Sequence, residues 1–503
     1  MRLKDNYYFN AFFWNTIQKI LNAIVGFISV PLLLTSFGVE NYGVLSLATA
    51  CNGYMHLLDL GMNTGAVRYY SIWISEKNQD LINRVARTNV SFYGVIAIIN
   101  IILLLFIAFF GETWFSTTHD QFLQLRSCLF IISFFCLLNW ETTTYSQLLI
   151  ANKQLAYTAK MQTLLSLFKL VLIGVVFYFH LSLSAYFFLF QLLLSSLIFP
   201  YAIKCIRSGY VDSVKPAFYW TDFKVVFTFS LSIFALSLFQ MTATQSRPII
   251  LALFSQAGPT INTEFKIIEV VPQLIIMIGG TFSSIFLPKT SEMVIKADQA
   301  EIEHFAYKWT RITTAIVCAL CFPFILCSRE VISAYVGSQY SYLAVWLVVW
   351  CVTVLIQMHT TPGNALVLAY GKTKTLVIVT ALVCILSIFI NALLSKRFGV
   401  GSAVISYFIY VVCIIGLYYL HFYKSLLRLN RWKMIKSFLF PVLIAVCVAL
   451  FVRSIPLTRD ILPMLNNRIA YVVLCVIKTL IWMVPYLLLL TIFKQIDWKQ
   501  IRR

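Results

Sequence analysis

The sequence predicts an all-α polytopic membrane protein of about fourteen transmembrane helices, arranged as two pseudo-symmetric six-helix lobes plus two C-terminal helices. Three observations lead there. The 503 residues are 60% hydrophobic, with a mean hydropathy of +0.83, more apolar sequence than a soluble core can bury. Only 12% are charged, against about 25% in soluble domains. Apolar runs such as VIAIINIILLLFIAFF at 95–110 recur at lengths near the ~20 residues that a spanning helix requires.

With that ruler the spans fall near 11–36, 42–63, 88–110, 122–148, 156–179, 182–203, 225–252, 262–287, 309–328, 342–369, 375–395, 400–423, 437–455 and 469–493. Arg2 and Lys4 precede the first. It is too long for a signal-peptide core and lacks a small-residue cleavage site, so it reads as an uncleaved span. Placing the N-terminus inside puts 27 of the 39 Lys and Arg on or beside inner segments, seven on outer ones and five within spans. That asymmetry predicts both termini in the cytoplasm. The net charge of +20 then rests on an anionic lipid leaflet. Membrane lipids are expected partners and nucleic acid is not. Every outer loop is short, so no soluble domain is inserted there.

The 12 cysteines are scattered through apolar runs. Cys318 and Cys321 form a CxxC, but mid-span and without further Cys or His, so they read as small buried hydrophobes rather than metal ligands. Dinucleotide, Walker-type, HExxH and GxSxG motifs are missing from the sequence, which predicts neither a cofactor nor an enzyme.

The polar residues inside the spans are patterned. In the first span Asn15, Lys19, Asn22, Gly26 and Ser29 recur at steps of four and three, along one helix face. Ser46, Thr49, Gly53 and His56 repeat the rule in the second span, with Asn52 and Asp59 on the adjoining face. Ser230, Ser237, Gln240, Thr244 and Arg247 do so in the seventh, and Thr263, Lys266, Gln273, Gly280 and Ser284 in the eighth. Small and hydroxyl residues at such spacings serve helix packing. Stripes that carry Lys19, Arg247 and Lys266 point instead to a hydrated cavity, since a charge at mid-bilayer costs roughly 2.5–3.5 kcal/mol on insertion scales.

The segment NTEFKIIEVVPQL, 262–274, holds Glu264, Lys266 and Glu269 within six residues. Lys266 and Glu269, three apart, face the stripe and can pair. Glu264 lies on nearly the opposite side, close to the interface. Glu141 and Lys169 have two open readings, lining a cavity or pairing with each other. Lys478 is placed to snorkel toward a headgroup. His359, before Thr360–Thr361–Pro362–Gly363, reads as a structural residue at a bend.

Two stretches match: VPLLLTSFGVENYG from Val30 and RPIILALFSQAGPT from Arg247, their prolines 217 residues apart. Spans 1–6 thereby align with spans 7–12. An even number of helices per half implies parallel repeats with the transport site between them. The expected divisions are 1–210 and 211–430 for the lobes and 431–503 for the added helices.

Four segments carry a family resemblance: FGVENYGVLSLATACNGYMHLLDLGMNTGAVRYY (37–70), FLPKTSEM (286–293), PGNALVLAYGKTKT (362–375) and FGVGSAVISYFIY (398–410). In these the chain resembles the Wzx-type polysaccharide flippases of the MOP superfamily, which move O-antigen, capsule and exopolysaccharide repeat units. The resemblance implies lobes that open alternately to each side of the bacterial inner membrane. The implied substrate is a polyprenyl-diphosphate-linked oligosaccharide, and the glycosyltransferase and polymerase machinery of lipopolysaccharide or related synthesis is the implied company. Lys19, Arg247 and Lys266 are then candidates for the diphosphate, because Arg and Lys give it charge-assisted hydrogen bonds. Asn22, Gln240 and Gln273 are candidates for sugar hydroxyls. Without a nucleotide motif, a proton or sodium gradient is the expected driver. Glu269, Asp59, Glu264 and Glu141 are its candidate receptors, Glu269 first because Pro272 follows it and loosens the helix. One departure is that Gln245 and Ser246 stand beside Arg247, where such flippases often carry an acid. The rival readings are a multidrug or small-molecule exporter of the same superfamily and, from another class, a polysaccharide polymerase or ligase, whose long outer loop this sequence lacks.

Overall fold

A computed structural model of the chain describes residues 2–115, 117–213, 215–296, 298–370, 374–455 and 467–493. Among these the secondary structure is helical, without strands. The chain divides into two compact units, Met1–Thr263 and Glu264–Arg503. Eleven helices of the described residues are long and apolar enough to cross a membrane. They cover twelve of the fourteen expected spans, because Phe13–Asp59 includes two. The other two fall within α8 (Trp220–Phe254) and α9 (Thr260–Lys296).

The first unit begins with α1 (Arg2–Met55), far too long for one crossing at 1.5 Å per residue. Gly38, at φ 78° and ψ 172°, breaks it, a conformation that glycine adopts at little steric cost. The chain then reverses at Leu60 and Gly61, both left-handed, and continues through α2 (Met62–Ser75), α3 (Gln79–Phe110), α4 (His119–Ala151), α5 (Leu155–Phe179), α6 (Leu183–Ser195) and α7 (Ile198–Arg207). The starts are written in the sequence. Asn78 accepts from Leu81 N, Thr118 and Gln121 form a reciprocal capping box, and Ser182 accepts from Ala185 N. Around Tyr70, Tyr93, Trp140, Tyr201 and Phe223 the helices close on an aromatic core. The segment leading into α8 lies along α3: Arg87 Nε donates to Lys215 O, and Ser91 Oγ to Ala217 O. Close approach fixes Gly43, where a Cβ would stand 2.2 Å from the carbonyl oxygen of Pro259. Thr263 Oγ1 donates to Val39 O beside it.

The second unit holds most of α9, then α10 (Gln299–Leu326), α11 (Ser328–Tyr335), α12 (Ala344–Met358), α13 (Thr361–Ala369), α14 (Lys374–Phe398), α15 (Val400–Leu417), α16 (Arg431–Ser454) and α17 (Asn467–Ile492). Asp298 and Asn430 cap α10 and α16. Its core gathers Phe286, Phe305, Tyr418, Phe422 and Tyr423. The last two helices are packed into this unit. Trp482 stacks on Phe322 at 5.3 Å and donates from Nε1 to Ala445 O, and the Tyr486 hydroxyl donates to Ala315 O. Lys478, expected to snorkel, instead reaches Glu330 Oε1 at 2.6 Å, each side chain 14% exposed. Its ammonium is paired inside the protein with a carboxylate of α11.

Large apolar side chains stand outward on both units: Phe109, Val171, Leu382, Phe389 and Leu450 are each over 60% exposed. Soluble monomers rarely carry so much contiguous apolar surface. In a bilayer these side chains face lipid.

Candidate functional site

The polar stripes separate into two kinds once side chains are placed. Hydroxyls mostly satisfy themselves locally. Ser29 Oγ donates to Gly26 O, Thr49 Oγ1 to Leu45 O and Ser46 O, and Ser230 Oγ to Val226 O. These groups are packing elements, hydrogen-bonded inside their own helices. The longer polar side chains reach further.

On α9 the expected pair forms. Lys266 Nζ lies 2.6 Å from Glu269 Oε2, with side chains 32% and 14% exposed. Gln273 Nε2 donates to Glu269 Oε1 at 3.4 Å, so three residues make one ladder along the helix face. Pro272 cannot donate to the carbonyl of Ile268, which leaves the backbone one bond short beside the ladder. Glu264, on the other side of α9, accepts a hydrogen bond from the Tyr342 hydroxyl at 2.6 Å. A phenol thus holds it, apart from the Lys266 ladder.

Within the first unit, Asn22 accepts from Ser166 Oγ of α5, and Lys19 lies one turn before it on α1, partly exposed. Arg247 is buried at 3% exposure on α8, its Nε donating to Ala243 O at 2.9 Å. Gln245 Oε1 would lie 3.3 Å from a Cβ at Gly53, so α1 passes close to this turn. The side chains of Gln240, Ser237 and Ser284 lie outside the described residues.

Asp59 closes the short 3-10 turn His56–Asp59 at the end of α1. Its Oδ2 accepts from Asn63 N at 3.1 Å, starting α2, and its Oδ1 from the Tyr93 hydroxyl at 2.6 Å. Gln147 Nε2 donates to that same hydroxyl at 2.8 Å, and Asn89 Nδ2 to Gln147 Oε1 at 2.7 Å. A relay of four side chains therefore runs from a loop carboxylate into the helical interior. Lys169 Nζ sits 5.1 Å over the Phe190 ring rather than against Glu141, a cation–π contact in place of an ion pair. Glu141 Oε2 is buried without a hydrogen-bond partner among the described residues. His359 is 2% exposed, its ring nitrogens on Ile356 O and the Tyr419 hydroxyl, which fixes the bend between α12 and α13. Cys318 and Cys321 are buried free thiols, and among the described residues no cluster of His, Cys, Asp or Glu has metal-site geometry.

Sequence patterning missed the amides. Asn89 and Asn100 stand eleven residues apart in one span, Asn139 and Gln147 eight apart in another, and Gln191 in a third, too far apart to read as a stripe. Their signal is that a carboxamide in hydrocarbon requires partners.

The family model described as polysaccharide biosynthesis protein matches residues 9–286, more than half of the chain. The chain belongs to the polysaccharide biosynthesis protein family. No curated protein matches it. Its fold is similar to that of solved transporters. One is the lipid II flippase MurJ in an inward closed conformation, at a TM-score of 0.71 and 13% identity over 97% of this chain and 99% of that one. A second is an inward-facing multidrug resistance MATE family transporter of the MOP superfamily, at 0.64 and 14% over 82% and 95%. A third is the Vibrio cholerae MATE transporter VcmN in its bent form, at 0.53 and 12% over 85% and 98%. The chain is a multi-pass membrane protein of the polysaccharide biosynthesis protein family, and its fold is similar to that of MurJ and of MATE transporters.

Proposed function

We propose that this protein translocates polyprenyl-diphosphate-linked oligosaccharide repeat units across a bacterial inner membrane, both termini cytoplasmic, for the synthesis of surface polysaccharide such as O-antigen. The observation that carries the reading is the Lys266–Glu269–Gln273 ladder, a partly exposed ion pair set in apolar sequence of a polysaccharide biosynthesis family. A pair serving stability alone gains little there, because desolvation offsets much of the attraction. A pair that must open to receive an anion uses the arrangement. Likeness of fold to a protein described as a lipid II flippase adds support.

In this reading Lys266, Lys19 and Arg247 hold the diphosphate, and Asn22, Gln240 and Gln273 meet sugar hydroxyls. Spans 1–6 (1–210) and 7–12 (211–430) act as the two lobes of an alternating-access cycle, with 431–503 as added helices. The diphosphate competes with Glu269 for Lys266. Once released, Glu269 takes up a proton or a sodium ion, which links substrate to gradient through one carboxylate. Asp59, Glu264 and Glu141 are the further candidate acceptors. Polymerase and glycosyltransferases would act on either side of this step.

The test is complementation. In cells deprived of their own repeat-unit flippase, this chain restores surface polysaccharide, and Lys266→Ala abolishes the rescue at near-normal protein levels. Rescue by Lys266→Ala at wild-type strength would refute the assignment.

A further inference from the structure

Inside the first unit, α1, α3, α4 and α6 line a half-open cavity of about 200 Å³. Its wall carries Asn52, Asn100, Asn139, Thr142 and Gln191, together with the His56 ring. The cavity runs from exposed His56 and half-buried Asn52 and Asn139 to Asn100 and Gln191, each 2% exposed. Asn139 Oδ1 already accepts from Ser195 Oγ at 2.9 Å, which leaves its amide hydrogens to offer. Asn100 Oδ1 and Gln191 Oε1, both buried, accept no hydrogen bond among the described residues. Buried carbonyl oxygens are normally paired, and two unpaired ones on one wall call for a donor.

We propose that this cavity binds one neutral sugar ring of the substrate, as a specificity subsite within the first unit. The inference rests on the transport reading above and adds which residues read the saccharide. Carboxamides and a threonine hydroxyl both give and accept hydrogen bonds, as sugar hydroxyls do. Their match is to a polyhydroxyl ligand of that size, and the volume admits a single ring rather than an oligosaccharide. A bare cation fits less well. The wall carries no carboxylate among the described residues, so its charge would be buried uncompensated. Sites that hydrogen-bond a ligand's hydroxyls discriminate sharply, because without the ligand their own polar groups stay unpaired.

The experiment compares two probes on the purified protein in nanodiscs: undecaprenyl diphosphate, and the same lipid bearing one hexose or N-acetylhexosamine from a small panel. At least one sugar-bearing lipid should bind wild type roughly tenfold tighter or more, the worth of two neutral hydrogen bonds. Asn100→Leu with Gln191→Leu should erase that preference and leave the bare lipid's affinity unchanged. The same pair should keep or raise Tm, because it deletes unpaired groups; a merely structural role predicts a lower Tm. The subsite is overturned if the double variant keeps the preference, if no sugar improves binding, or if replacing sodium with choline removes it. Failure of the bare lipid to bind sinks the transport reading itself, and is thereby told apart from failure of the subsite.

Discussion

Lys266 and Glu269 show how charge is tolerated in apolar sequence: each is the other's nearest counter-ion, and Gln273 steadies the carboxylate. If the lysine serves the diphosphate and the glutamate the gradient, their variants fail differently. Lys266→Ala loses substrate affinity. Glu269→Gln keeps affinity within a few-fold but transports without response to an imposed proton or sodium gradient, which vesicle uptake measures. Arg247→Ala abolishes surface polysaccharide, whereas Arg247→Lys retains a fraction, since lysine keeps the charge and loses the bidentate fork. Loss of protein in step with loss of function would return Arg247 to a structural role. The Lys478–Glu330 pair is of another kind, joining α17 to α11 with both side chains mostly buried. Lys478→Met strands a carboxylate and should cost about 3–5 kcal/mol. Lys478→Met with Glu330→Gln should recover most of that in thermal melts.

Helices were the legible level. Most span positions and the Lys266–Glu269 pair follow from residue type and spacing, and the structure repeats them. Lys478 was not legible, because its partner Glu330 lies 148 residues away and nothing local points to it. The amide cavity escaped for a related reason: its carboxamides Asn52, Asn100, Asn139 and Gln191 come one from each of four helices, and periodicity within a helix cannot register them. Gly38 and Gly43 sit in the most family-like segment, and geometry explains both, one by its backbone angle and the other by the approach of Pro259. Gly43→Ala pushes a methyl into a backbone carbonyl that cannot rotate away. It should cost roughly 1–3 kcal/mol, read as a lowered Tm. An unchanged Tm would show that α1 and the Pro259 turn part easily.

At the scale of the molecule, the proposed transporter has its inner and outer faces set by its cations. Reporter fusions after Asn78 and Ser213 should read cytoplasm, and one after Thr117 the outer side. A cytoplasmic signal at Thr117 would invert the map and with it every assignment of face. The central claim is movement of a lipid-linked saccharide, and it is tested most directly in proteoliposomes. Undecaprenyl-diphosphate oligosaccharide is placed in both leaflets, and a membrane-impermeant glycosidase is added outside. With protein and an imposed ion gradient, digestion should proceed past the half initially accessible toward completion, and Lys266→Ala should hold it at half. Digestion that stops at half with wild-type protein, alongside gradient-driven export of a fluorescent organic cation, would contradict the account and make the chain a drug exporter.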